Sequence, residues 1–202
     1  MKTSKYMIYF FILILLSLSC EEGSRFEPPD TEAEELTSEG WIKFGYGTEN
    51  SYQNALAKFE EAISKDSNYA EPHCGAGWSN ARLSNLSDAV INFSDCISLS
   101  SSYEDAHAGL AFVYNAQKEY QLSIEWANKT LILNSKWIFY YDQTVSYLDL
   151  YLIKAEGCFA LGDYGDCLTN VQVLNPIFLV DVTTIEGRFA LAEEIERLRG
   201  IV

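Results

Sequence analysis

Three stretches decide the fold: Ala55-Leu56-Ala57-Lys58-Phe59-Glu60-Glu61-Ala62-Ile63, Ala89-Val90-Ile91-Asn92-Phe93-Ser94-Asp95-Cys96-Ile97 and Ser123-Ile124-Glu125-Trp126-Ala127-Asn128-Lys129-Thr130-Leu131. Their first residues are 34 apart each time, and self-similarity at a fixed period of this length marks a repeat array. Upstream of each stands a small residue followed by an aromatic one: Gly40-Trp41, Gly77-Trp78 and Ala111-Phe112. The last two pairs are again 34 apart, while the first interval is 37. Thr48-Glu49-Asn50 accounts for the difference as an insertion in the turn of the first hairpin.

Each period holds two helices. Apolar residues recur at i, i+3, i+4 and i+7. The paired small residues Gly77 with Ala89, and Ala111 with Ser123, let two backbones approach closely, and Phe93 and Tyr114 fill the space beside them. Between repeats, Asp66 to Glu71 and Ser100 to Ala106 read as a helix stop, a turn and a new helix with acids in its first turn.

These offsets resemble the tetratricopeptide repeat (TPR), and the resemblance spans residues 33 to about 137. The usual proline at the end of each repeat is replaced by Ser67, Ser101 and Ser135. The expected fold class is all-α, a TPR-type solenoid of helical hairpins in a right-handed superhelix with a C-terminal capping helix. The expected repeats are 33–69, 70–103 and 104–137. Residues 138–176 hold an aromatic insertion followed by a degenerate fourth unit. Residues 177–202 close the array, with Thr183 to Glu186 as a capping box and Ile185, Phe189, Ala192, Ile195 and Leu198 as the apolar face of the last helix.

The N-terminus carries an address. Lys2 and Lys5 precede an apolar run from Tyr6 to Leu16, too short to span a bilayer, which ends in Ser17-Leu18-Ser19-Cys20. Ser19-Cys20 at the end of such a run resembles the lipobox of bacterial lipoproteins. The resemblance implies a signal peptide over 1–19 and lipid attachment at Cys20. Residues 20–32 read as an acidic tether, with Pro28, Pro29 and Gly23 denying it a core. The expected location is the cell envelope, as an outer-membrane lipoprotein on its periplasmic or surface face.

Without that leader, 12 basic residues face 29 acidic ones, a net charge of −17. Such a surface repels phosphate backbones, which argues against nucleic acid as a partner. Catalytic signatures such as HExxH, CxxC, GxSxG or a phosphate-cradling glycine loop are missing from the sequence, and the chain reads as a non-enzyme with no cofactor and no metal. The only histidines, His73 and His107, lie 34 apart at equivalent places, so packing explains them before chemistry does. Asp142 and Asp149 flank the aromatic insertion, where capping of the next helix competes with a metal site. Cys74 and Cys96 fall in one repeat, and Cys158 and Cys167 in another. They read either as intra-repeat disulfides or as small buried residues at helix contacts.

In the resembled family, the first helix of each repeat lines a concave groove. Carried onto this chain, the ninth positions are Trp41, Trp78 and Phe112, with Glu156 breaking the series. The second positions are Glu34, Glu71 and Asp105, followed by Asp149. An aromatic stripe beside an acidic one is expected to take a protein or peptide of the envelope, cationic or helical. Two other uses stay open at this stage. The aromatics could wedge adjacent repeats together, or the stripe could hold a small hydrophobic ligand or sugar in a closed pocket.

Overall fold

The computed structural model describes residues 31–200. The proposed leader, Cys20 and most of the acidic tether lie outside the described residues. The described residues form nine helices in chain order: α1 (Glu32–Phe44), α2 (Glu49–Lys65), α3 (Ala70–Arg82), α4 (Leu86–Leu99), α5 (Glu104–Ala116), α6 (Tyr120–Leu133), α7 (Tyr147–Leu161), α8 (Tyr164–Leu174) and α9 (Ile185–Arg199). The pairs α1/α2, α3/α4, α5/α6 and α7/α8 are hairpins, and each hairpin packs on the next. The first helices of the pairs, α1, α3, α5 and α7, also contact one another in series and form the inner layer. No described helix is long and apolar enough to cross a membrane.

Local chemistry sets the helix boundaries. Thr31 caps α1 by accepting from the Glu34 N–H while the Glu34 carboxylate accepts from the Thr31 N–H. Ser146 and Asp149 close the same reciprocal box on α7. Such boxes satisfy two of the backbone N–H groups that a helix start leaves without partners. Gly162, in the left-handed region at φ 80°, ends α7.

The interlock between hairpins is aromatic against glycine. The Phe93 ring of α4 lies between Gly77 of α3 and Gly109 of α5, where a Cβ on Gly77 would meet it at 2.6 Å. Phe59 does the same one repeat earlier, between Gly40 and Gly75. Gly75 and Gly109 are 34 apart, as are Phe59 and Phe93, so each ring and the notch on the following helix recur with the repeat. Both rings are fully buried.

The repeated histidines are latches. His73 Nε2 lies 3.2 Å from the Ser67 carbonyl oxygen, and His107 Nε2 lies 2.9 Å from that of Ser101. Each imidazole thus ties an inner helix to the turn before it, which is a packing role of the kind the repeat spacing implies. His73 Nδ1 does lie 4.0 Å from the Asp95 carboxylate, but neither histidine lines any of the cavities described below. Among the described residues the four cysteines, Cys74, Cys96, Cys158 and Cys167, are buried thiols and not disulfides. Cys74 and Cys96 share one core cluster, and Cys158 and Cys167 another.

The last helix buries the C-terminal part of the expected face, Ile195 and Leu198, but not its N-terminal part. Gly187, Leu191, Glu194, Ile195 and Leu198 are its buried residues, whereas Ile185 and Phe189 point to solvent. Thr184 caps the helix by accepting from the Gly187 N–H, and with Gly187 at the third position the full capping box is not formed. The register follows from the loop that enters α9. It passes so close to Gly187 that any Cβ there would collide with the Asp181 carbonyl.

Candidate functional site

The inner helices bring Trp41, Trp78 and Phe112 onto one side, as the repeat register requires. That side is filled from within the chain. After α6, residues 134–146 cross the inner layer as a strap: Asn134 caps α6, and a short antiparallel bridge pairs Ile138 with Ser146. The bridge is closed by Phe139 N–H to the Val145 carbonyl at 2.9 Å and Tyr147 N–H to the Trp137 carbonyl at 2.7 Å. The backbone is extended over 137–139, where alternate side chains face opposite ways, and then turns at Tyr140-Tyr141, with the Asp142 N–H donating to the Phe139 carbonyl at 3.3 Å. Phe139 is 0% exposed and Trp137 is 1% exposed, while Tyr140 between Phe139 and Tyr141 is 74% exposed.

The inward aromatics occupy the stripe residue by residue. Tyr141 stacks on Trp41 with centroids 3.7 Å apart and planes 4° from parallel. Phe139 stacks on Trp78 at 4.2 Å and meets Trp41 edge-on at 6.0 Å. Trp137 packs against Trp78 at 6.5 Å and Phe112 at 6.4 Å. Trp41 and Trp78 are left 4% and 3% exposed, and Phe112 is half-buried.

The acids beside the stripe serve the same contact. Glu71 Oε1 accepts from the Trp41 indole at 2.9 Å and the Tyr141 hydroxyl at 3.2 Å, and its Oε2 accepts from Tyr69 at 2.6 Å. Asp105 Oδ1 accepts from the Trp137 indole at 2.6 Å, and the Asp105 carbonyl accepts from the Trp78 indole at 3.2 Å. Buried indole and phenol groups find partners in this way because leaving one unpaired costs about 1–3 kcal/mol. Glu34 sits apart from this set, engaged in the α1 cap. The groove expected at Trp41, Trp78, Phe112, Glu71 and Asp105 is therefore closed by the chain's own 137–141 segment, because its aromatics and donors match the stripe. Asp149 caps α7, and Asp142 holds the strap turn through Thr144 and an ion pair to Arg82 at 2.6 Å.

Burial under the strap pushes the Asp105 carboxyl up from 3.8 to about 6, with Glu104 and Glu71 adding to the rise and the Trp137 hydrogen bond opposing it. A carboxyl whose folded value is raised contributes stability below about pH 4 that is lost as pH rises through about 6. Asp105→Asn keeps an acceptor oxygen for Trp137 and removes the charge. It is expected to raise stability at pH 8 by about 2 kcal/mol and to flatten the stability curve between about pH 4 and 6, read by urea unfolding across pH.

The strap stops short of the fourth unit. Beyond it, between the C-terminal ends of α5 and α7 and the outer face of α9, lies an open cavity of about 580 Å³. Its apolar surface comes from Phe159, Ala160, Ala192 and Ile195, with Tyr120 at one side. Its polar groups centre on Glu156, the ninth position where the other units carry aromatics. Glu156 accepts from Asn115 Nδ2 at 3.0 Å and from Arg199 Nε at 2.8 Å, and Arg199 is also paired with Glu196. A smaller cavity of about 260 Å³ lies under the strap's return, lined by Phe112, Arg82, Val145 and Asp149 among others.

Comparison with solved structures bears on this arrangement. A crystal structure of MamA superposes with a TM-score of 0.58 at 18% identity, over 85% of this chain and 82% of that one. The fold is the tetratricopeptide fold. A thermophilic TPR protein of Thermus thermophilus matches at a TM-score of 0.56 and 17% identity, over 82% of each chain. The first TPR of Spaghetti (RPAP3), solved with an HSP90 peptide, matches at 0.56 and 14% identity, over 68% of this chain and 98% of that one. No family model matches the sequence, and no curated protein does. At these identities the likeness establishes the fold, and the site has to be argued from its own geometry.

Proposed function

We propose that this protein is a non-enzymatic interaction scaffold of the bacterial cell envelope, anchored through a lipid on Cys20, that receives a protein partner on the open C-terminal half of its concave side. The observation that carries the reading is the division of that side. The strap holds the half at Trp41, Trp78 and Glu71 shut, while the half around Glu156, Phe159 and Ile195 remains an open cavity of about 580 Å³. A TPR neighbour solved with a peptide is consistent with partner binding by this fold. The short apolar leader ending in Cys20 and the acidic tether support the anchor.

A small-ligand binder is less well supported. The stripe that would grip a sugar or hydrophobic molecule is covered by Phe139 and Tyr141, and the remaining cavity is open along one side.

The test is photo-crosslinking in the native envelope. A benzophenone side chain at Ala160, in the cavity, is expected to give a discrete adduct that the same group at Leu99 on α4 does not give. Equal labelling from both positions, or none from Ala160, contradicts the reading. Cys20→Ser is expected to release the protein from the membrane fraction, and retention there would remove the anchor.

A further inference from the structure

We infer that the outer face of α9 accepts a basic amphipathic helix from a partner protein. The inference rests on the scaffold reading above and names the chemistry of what its open half takes. Ile185 and Phe189, four residues apart on α9, are 79% and 67% exposed. Ala192 and Glu196 continue the same ridge at the helical spacing. Eleven residue steps of about 1.5 Å from Ile185 to Glu196 make the ridge about 16 Å long, parallel to the α9 axis. The opposite face, Leu191, Ile195 and Leu198, already packs the helix onto the array, so folding does not require the second apolar row. A surface helix ordinarily carries polar residues there.

The loop entering α9 repeats the pattern. Phe178, Val180 and Val182 pack against the C-terminal core, while the alternate residues Ile177 and Leu179 are 87% and 82% exposed. Four large apolar side chains, two on the loop before α9 and two on its first turns, thus stand exposed, and exposed apolar surface of this kind marks a contact site. It is continuous with the open cavity, since Ala192, Glu193 and Glu196 line that cavity from the same face of α9.

Charge selects the occupant. On α9, Arg199 is committed to Glu156 and Glu196, Arg197 to Glu194 and Arg188 to the Val182 and Thr183 carbonyls, which leaves Glu186 and Glu193 beside the ridge as its carboxylates outside these pairs. With the chain at −15 overall, a segment bearing Lys or Arg is steered in and an acidic one is repelled. A second copy would set Glu186 and Glu193 against themselves, and a bilayer would have to accept both carboxylates. A straight ridge with apolar residues at i and i+4 is matched by a helix laid along it.

The probe is a labelled peptide of about 18 Leu and Lys residues in amphipathic helical spacing, with a Leu/Glu counterpart. The expected result is saturable binding of the Leu/Lys helix alone, weakened at least tenfold, about 1.4 kcal/mol, by Phe189→Asp. That substitution adds an acid, so the weakening cannot come from lost charge. Ile132→Asp, at another exposed apolar site on α6, is expected to change binding less than twofold. Equal weakening by both substitutions, equal binding of the Leu/Glu peptide, or no binding of the Leu/Lys peptide overturns the inference. So does a concentration-dependent dimer, or adsorption to phosphatidylcholine vesicles, that Phe189→Asp abolishes. If Phe189→Asp leaves the Ala160 crosslink intact while the peptide fails to bind, only this inference falls. Loss of a specific Ala160 crosslink in the unmodified chain removes the scaffold reading beneath it.

Discussion

Phe139→Ala is expected to lower the unfolding free energy by about 3–5 kcal/mol. The ring is fully buried at the centre of the strap and meets Trp78, Trp41 and Phe44, side chains of two repeats. Deleting it removes apolar contact on every side and leaves a cavity walled by three aromatics whose helices are fixed by their own hairpins. For a chain of this size the corresponding fall in Tm is about 10 °C. Tyr140, next along the strap and largely exposed, supplies the internal comparison: Tyr140→Ala is expected to change stability by about 0.5 kcal/mol or less. Similar small effects from both substitutions would show that the strap does not belong to the core.

Phe93→Ala should be comparably costly, again about 3–5 kcal/mol, for a different reason. Its ring is held between two helix backbones at Gly77 and Gly109. Backbone cannot move into the space as a side chain could, so the cavity persists. The reverse change, Gly109→Ala, forces a Cβ into the ring and is expected to cost about 1–3 kcal/mol. Combined, the two substitutions should cost less than their sum, because the new methyl enters the space the ring has left. Thermal unfolding of the two single variants and the double variant measures that coupling. Strict additivity would contradict the interlock.

The repeat was legible because it rests on local identities recurring at one interval. Gly77 and Ala111 mark close helix approach in the sequence and make it in the structure. The same 34-residue interval joins Gly75 to Gly109 and Phe59 to Phe93, a signal present in the sequence that completes the interlock. The acids Glu71 and Asp105 stand beside the aromatic stripe, where the repeat register puts them. What the local pattern could not reveal was the occupant, because the covering residues lie 25 to 100 residues away in the chain, from Phe112–Trp137 to Trp41–Tyr141. Its signal is a change of period. Trp137, Phe139 and Tyr141 are aromatic at every second residue; extended backbone puts the first two on one side, and the turn at Tyr140-Tyr141 brings the third ring onto Trp41. In α9 the sequence offers two apolar stripes, one through Ile185 and Phe189 and one through Leu191, Ile195 and Leu198. Hydrophobicity alone does not choose between them. Gly187, the small residue against which the loop backbone passes, does.

The strap changes where a partner would bind on this fold. The aromatic stripe that reads as a groove in the sequence contributes to the core, and the open surface shifts to Glu156, Phe159 and the outer face of α9. Amide hydrogen exchange tests that division most directly. The Phe139 and Tyr147 amides, which bond across the strap, are predicted to exchange within about tenfold of the Val113 amide in the buried inner helix α5. Exchange of both at rates close to those of an unstructured chain, with α5 still protected, would contradict the account and return Trp41 and Trp78 to an open groove.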